Sequence, residues 1–193
     1  MDCGFSPALW PEISPPAKAV NCQKCELCKQ RSRVIWGEGN PQAPIIVILD
    51  NPGAREDKEG KEFVCGARQT LQAAACQASL KMEDMFITYL LKCRPTRRYN
   101  KHEARGICKD YLLEQIEIQR PQLAFCLGDT ASQWFFGNMD AQVKFLRGKW
   151  HDVRGLPTAV SYHPLAVRRR PNLFYLFRQD WELLARRRFP ERI

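Results

Sequence analysis

The sequence has no apolar run long enough to cross a bilayer: its longest strongly hydrophobic stretch is 45–49, where about twenty residues are needed. Its first twenty residues hold prolines and acids but no signal-peptide core, which leads to the expectation of a cytoplasmic protein that does not enter a membrane. It lacks internal repeats and linker-like stretches. The expected organisation is an irregular, proline-rich arm over residues 1–20 and one domain over 21–193. Acid is scarce relative to base, with 21 Asp and Glu against 30 Lys and Arg, a formal charge of +9. Such an excess suits solubility and, beyond that, a polyanionic partner such as nucleic acid. What is abundant is cysteine, with nine residues in a chain expected in a reducing compartment, where disulfides are rare. Metal or cluster binding is then the leading explanation for some of them.

Strand and helix patterns alternate along the chain. Residues 45–49 are apolar and rich in β-branched side chains, the signature of a buried strand, and Asn51-Pro52-Gly53 ends it. Residues 86–91, 123–127 and 158–162 give three more strands. Helices are expected over about 67–79 and 103–119, the second with Ile107, Tyr111 and Ile116 on one face, and in a short segment capped by Asp129 or Thr130. Leu173, Leu176, Phe177, Trp181 and Leu184 follow helical spacing near the C-terminus. This alternation predicts an α/β fold, a three-layer α/β/α sandwich around a mainly parallel four-stranded sheet. Ligands in such sheets sit beyond the carboxyl ends of the strands. Those ends carry Asp50 and Asn51, the segment after Tyr89, Gly128 and Asp129, and His163, so an acid, an amide and an imidazole are expected to meet in one cleft.

Cys22-x-x-Cys25-x-x-Cys28 offers thiolates at a spacing suited to one metal centre, and Cys93 and Cys108 flank a loop rich in Arg, Tyr and Asn. Four thiolates hold either zinc or an iron–sulfur cluster. Spacing alone does not separate the two, and Cys28 competes with Cys25 as a ligand. Cys65, Cys76 and Cys126 fall in or near predicted core elements and read as core thiols.

The motifs continue in order. After Cys22-x-x-Cys25 come Arg31-x-Arg33-Val-x-x-Gly37-Glu-Gly-Asn40, then Asn51-Pro52-Gly53-x-x-Glu56-Asp57-x-x-Gly60-x-x-Phe63-Val64. Lys92-Cys93-Arg94-Pro95, Ile107-Cys108, Gly128, Arg147-Gly148-Lys149-Trp150, His163-Pro164, Arg169-x-Pro171 and Trp181 follow. In this order and spacing, over nearly the whole chain beyond residue 20, the sequence resembles the family 4 uracil-DNA glycosylases. The resemblance implies a [4Fe–4S] cluster of structural role. Its register before the Gly-Glu-Gly segment selects Cys22 and Cys25, leaves Cys28 as a spare, and pairs them with Cys93 and Cys108.

The resemblance also implies a monomeric, monofunctional enzyme of base excision repair acting on DNA that contains a damaged or deaminated base. Such an enzyme flips the base out of the stack before breaking its N-glycosidic bond. Breaking that bond leaves a cationic sugar and an anionic base, so one group is needed near the sugar and a donor near the base oxygen. His163 matches the anion-stabilising histidine, although by residue type alone a histidine before proline reads as a packed loop residue. Asp50 and Asn51 match the sugar-side position. Phe63 matches the aromatic that stacks on the base, and Gly53 the position where a bulky residue would exclude a base methyl group. Arg168, Arg169 and Arg170 are placed to grip phosphates, and Arg97-Arg98-Tyr99 is a second candidate surface. No lysine stands at a motif position to act as an amine nucleophile, so no strand cleavage is expected. Three stretches depart from the family: Asp50-Asn51-Pro52-Gly53 where it usually reads Glu-Ala-Pro-Gly, Cys65-Gly66-Ala67 where it begins Gly-Arg-Ala-Gly, and Tyr89 where it usually has the asparagine that reads the uracil edge. A tyrosine hydroxyl cannot reproduce the donor–acceptor pair of an amide. These departures bear on the substrate rather than on the fold: they allow uracil excision to be weak, moved to another damaged base or lost, the last leaving a cluster-bearing protein that binds DNA or a damaged base.

Overall fold

All five residues of β2 (Ile45–Leu49) are buried, as expected of a strand covered on both faces. The computed structural model describes residues 4–58 and 64–189. In it β2 lies between β3 (Met85–Tyr89) and β4 (Leu123–Leu127), and β4 pairs with β6 (Leu156–Ser161), all three pairings parallel. These are the four strands read from the sequence. The sheet has six, because β1 (Glu38–Gly39) and β5 (His151–Val153) add antiparallel edges in the order β1-β3-β2-β4-β6-β5. Both are too short for an alternating pattern to register. β5 turns into β6 through Arg154 and Gly155, both at positive φ, a two-residue hairpin loop that the residue pair Arg-Gly does not advertise as Asn-Gly would.

Side chains alternate across the sheet. Ile45, Val47 and Leu49 face one helical layer with Leu71, Phe177 and Trp181, and Ile46 and Ile48 face the other with Leu112 and Phe135. The first layer is α3 (Gly66–Gln77) and α8 (Phe174–Arg188), and the second is α4 (Lys101–Gln119) and α5 (Asp129–Phe136). This is the expected α/β/α sandwich. α4 starts two residues earlier than predicted because Asn100 Oδ1 accepts from Glu103 N and caps it. Its buried face runs through Ala104, Cys108, Tyr111, Leu112 and Gln115, which turns Cys108 inward, while Ile107 and Ile116 are only half-buried. α5 is not capped by Asp129 or Thr130: Gly128 is its N-cap, and Asp129 Oδ1 instead accepts from Val143 N at the start of α6 (Val143–Leu146). Residues 4–20 are mostly irregular, with α1 (Ala17–Val20) as a single turn. They lie along the sheet edge, where Gly39 N donates to Pro11 O and Ile13 N to Gly37 O. No described helix is long and apolar enough to cross a membrane.

Trp181 is fully buried, edge-on to Phe125 at 4.9 Å and Phe177 at 5.9 Å. Trp181→Ala is expected to cost about 3–5 kcal/mol, read as a lower urea midpoint at unchanged slope. Beside it, Asp180 Oδ2 accepts from Ser161 Oγ at 2.6 Å and from Arg147 Nε at 3.0 Å. That network fastens the end of β6, and with it the loop carrying His163, to α8.

Candidate active site

A cavity of about 650 Å³ opens at the carboxyl ends of the parallel strands, of a size that holds a small ligand. β2 delivers Asp50, Asn51 and Gly53 to it, β3 delivers Tyr89, β4 delivers Gly128, and the residues after β6 deliver His163. Arg168, on α7 (Pro164–Arg169), lies at its edge. Residues scattered over more than a hundred positions of chain are thus brought together by topology.

Each is held by a specific local device. Asp50 is gripped at both oxygens by Arg105 from α4, with Nη2–Oδ2 at 3.0 Å and Nε–Oδ1 at 3.3 Å. Asn51 Nδ2 donates to Pro52 O at 2.9 Å. Gly53 heads α2 (Ala54–Asp57), and its N–H donates to Glu56 Oε2 at 2.9 Å. A Cβ there would lie 2.7 Å from that oxygen, so the glycine admits the glutamate as well as opening the cavity. His163 is the N-cap of α7: its Nδ1 accepts from Leu165 N at 3.1 Å, so the neutral ring carries its proton on Nε2. Burial, helped by the nearby cations Arg68 and Arg169, pushes the imidazole down to about 4. Gly128, at φ +100°, passes so close to His163 that a Cβ would meet the histidine Cβ at 3.1 Å.

The deep end of the cavity holds groups that the sequence reading missed. Arg68 of α3 is buried, with Nε 2.5 Å from Glu38 Oε1 on β1 and Nη2 donating to Tyr89 Oη at 2.6 Å. Burial works against the guanidinium, but Glu38, Tyr89 and Glu56 outweigh it and keep it charged. Burial pushes the Tyr89 hydroxyl well above the usual phenol range, against the pull of Arg68, so it stays protonated. Cys65, expected as a core thiol, instead lines the cavity at the head of α3 and donates to Glu56 Oε1 at 3.1 Å. Glu38 stands in the Gly37-Glu-Gly-Asn40 motif and no motif includes Arg68; only the fold puts them in contact. Phe63 lies outside the described residues.

Arg168 Nη1 donates to Gly66 O at 3.3 Å, which ties the cavity edge to α3, and a Cβ at Gly66 would meet the guanidinium carbon at 2.5 Å. Arg169 and Arg170 are exposed at the end of α7. Arg97 Nη2 donates to Lys29 O at 3.3 Å, and Tyr99 packs beside the cysteines.

Cys93 and Cys108 are buried, and Cys22 and Cys25 pack against the same cluster with Leu27, Trp36 and Tyr111. Burial pushes Cys93 up to about 12 and raises Cys25 and Cys108. The thiols sense one another: Cys108 and Cys25 act on Cys93, Cys25 and Cys22 on Cys108, and Cys22 and Cys28 on Cys25. Arg31 Nη1 donates to Cys93 Sγ at 3.6 Å and its Nη2 to Cys22 O at 2.7 Å. Among the described residues, no three His, Cys, Asp or Glu side chains converge closely enough to hold a single metal ion.

Comparison with known proteins gives the same frame. A family model described as the uracil DNA glycosylase superfamily matches residues 36–185. The type-4 uracil-DNA glycosylase of Archaeoglobus fulgidus is 34% identical over 174 residues, covering 86% of this chain and 87% of that protein. Those of Saccharolobus solfataricus and Thermotoga maritima are 36% and 33% identical, covering 83% and 80% of this chain and 78% and 82% of those proteins. With a matched family model over most of its length and such relatives over more than three quarters of it, this chain belongs to the type-4 uracil-DNA glycosylases.

Proposed function

We propose that this protein is a monofunctional, monomeric DNA glycosylase that hydrolyses the N-glycosidic bond of uracil, or a related damaged base, flipped out of DNA. One observation carries the reading: a histidine whose Nδ1 accepts from Leu165 N, which leaves Nε2 to donate, shares a strand-end cavity with an acid and an amide. In this role His163 Nε2–H donates to the base oxygen as negative charge builds there, and no proton has to be released first. Asn51, its amide nitrogen already committed to Pro52 O, offers Oδ1 to orient the attacking water. Asp50 supplies negative charge on the sugar side, moderated by Arg105. Gly53 leaves space beside the base, Tyr89 bounds it, and Arg168, Arg169 and Arg170 hold the flanking phosphates.

A [4Fe–4S] cluster fits Cys22, Cys25, Cys93 and Cys108. The donors are thiols only, and they share one pocket. The cluster supplies cross-linking of the loops around it rather than redox chemistry. The tie to the cavity is short: Lys92, next to Cys93, donates from Nζ to Tyr89 O at 2.7 Å and to Thr88 Oγ1 at 2.7 Å.

The test is incubation of iron-loaded protein with end-labelled oligonucleotides carrying uracil, hypoxanthine, 5-hydroxymethyluracil or thymine, followed by alkali. Breaks at uracil that appear only after alkali are expected. Asn51→Ala should slow them ~100-fold, and Asp50→Asn, which removes a charge already shared with Arg105, only about tenfold. Tyr89 favours a second reading, a protein that binds damaged DNA without turnover, because it fills part of the cavity floor. An absence of breaks at every base by iron-loaded protein would establish that second reading instead.

A further inference from the structure

Bond hydrolysis as described makes no use of the deep floor of the cavity. Yet a charge has been buried there. Arg68 is 6% exposed, Glu38 is 9% exposed, and the guanidinium is fixed on two sides, by Glu38 through Nε and by the Tyr89 hydroxyl through Nη2. A buried ion pair is weak evidence for stability, since taking both charges out of water offsets their attraction. Held rigidly at a cavity wall, the same pair is a preorganised binding group.

Hydrogen-bond directions say what it binds. A guanidinium donates and never accepts. The Tyr89 hydroxyl already accepts from Arg68, so its own proton is left for another acceptor. His163 Nδ1 accepts from Leu165 N, so Nε2 also donates. Three polar side chains that line the cavity are therefore donors, and the complementary face of a base is one of carbonyl oxygens. Deamination of a base replaces an amine with a carbonyl. A donor wall accepts the product and faces the parent amine with donor against donor, leaving buried groups unpaired on both sides.

We propose that Arg68, braced by Glu38 and Tyr89, is the specificity-determining residue, donating to the exocyclic oxygen that deamination puts in place of an amine. The proposal rests on the glycosylase reading and names its substrate class: deaminated bases, read by the carbonyl rather than by an amide matched to the uracil edge.

The experiment compares wild type with Arg68→Met and with Arg68→Met/Glu38→Gln, the second variant relieving the carboxylate left unpaired by the first. Single-turnover excision of uracil is measured, together with affinity for a duplex carrying an abasic analogue, which has no base to read. Cluster absorbance reports folding. Excision should fall on the order of 100-fold in both variants with abasic affinity unchanged, and Arg68→Lys should recover part of it. Wild-type excision by the folded double variant, or a parallel loss of abasic affinity, would overturn the proposal in favour of a packing role. If wild type itself excises nothing, the glycosylase reading fails, and Arg68 is decided by saturation-transfer NMR with free uracil. A signal present in wild type and lost in the double variant supports the carbonyl-reading role; equal signals, or none with wild type, overturn it.

Discussion

His163→Ala is expected to lower single-turnover uracil excision about 10³-fold while leaving affinity for an abasic duplex close to wild type. Loss of one preorganised donor to a developing anion has an effect of this size. The alanine variant has a second defect: it removes the N-cap of α7, which costs about 1 kcal/mol and loosens the helix carrying Arg168 and Arg169. His163→Asn separates the two effects. Asparagine is among the best N-caps and can still accept from Leu165 N, but it does not carry a donor to the place of Nε2. An Asn variant as slow as the Ala variant, with normal abasic affinity, assigns the loss to the donor; an Asn variant near wild-type rate assigns it to the helix.

The same histidine fixes the acid side of the pH profile. The groups facing it are the cations Arg68 and Arg169, and both oppose its protonation, as does burial. With the folded value at about 4, the imidazole is neutral at and above neutral pH, and its contribution to excision is level down to about pH 5. It is lost as the pH falls through about 4, not through 6.5. The stability linkage follows in sign: below about pH 6.5 the unfolded chain binds a proton at this residue that the folded chain refuses, so stability declines from there down to about 4. Thermal melts at pH 7 and pH 5 should therefore show a smaller drop for His163→Asn than for wild type.

The sequence made the sheet centre plain and its edges obscure, for a physical reason. β2 and β4 are continuous apolar runs because both faces are covered, whereas β1 and β5 are two- and three-residue edges that any loop could spell. The cleft residues were legible because parallel topology dictates where strand ends meet, so Asp50, Asn51, Tyr89, Gly128 and His163 needed only their strands to be recognised. Arg68, Glu38 and Arg105 were not legible. Each sits on an element whose local pattern explains it fully, and its partner is supplied by another element far along the chain. Cys65 was misread for the same reason: its place beside apolar residues of α3 says core, but it precedes the first turn, where the chain rounds the cavity.

Iron-loaded protein is expected to be brown, with iron and acid-labile sulfide in equal amounts, and Cys25→Ser and Cys108→Ser are each expected to abolish both. Because a ligand set absent from the unfolded chain makes cluster binding part of the folding free energy, these variants should lose several kcal/mol of stability in urea titration. Cys28→Ser should retain the colour. Cys28 shares the Cys22-x-x-Cys25 turn but is the only one of its three cysteines that does not pack on the pocket holding Cys93 and Cys108. Excision should fall with the cluster even though no cysteine ligand lines the catalytic cavity, since the loop bearing Cys93 is the one that holds Tyr89 through Lys92. A colourless Cys28→Ser protein beside a brown Cys25→Ser protein would reverse the assignment of the first ligand pair. A stable, colourless wild type that retains stoichiometric zinc would replace the cluster altogether, since four thiolates suit either centre.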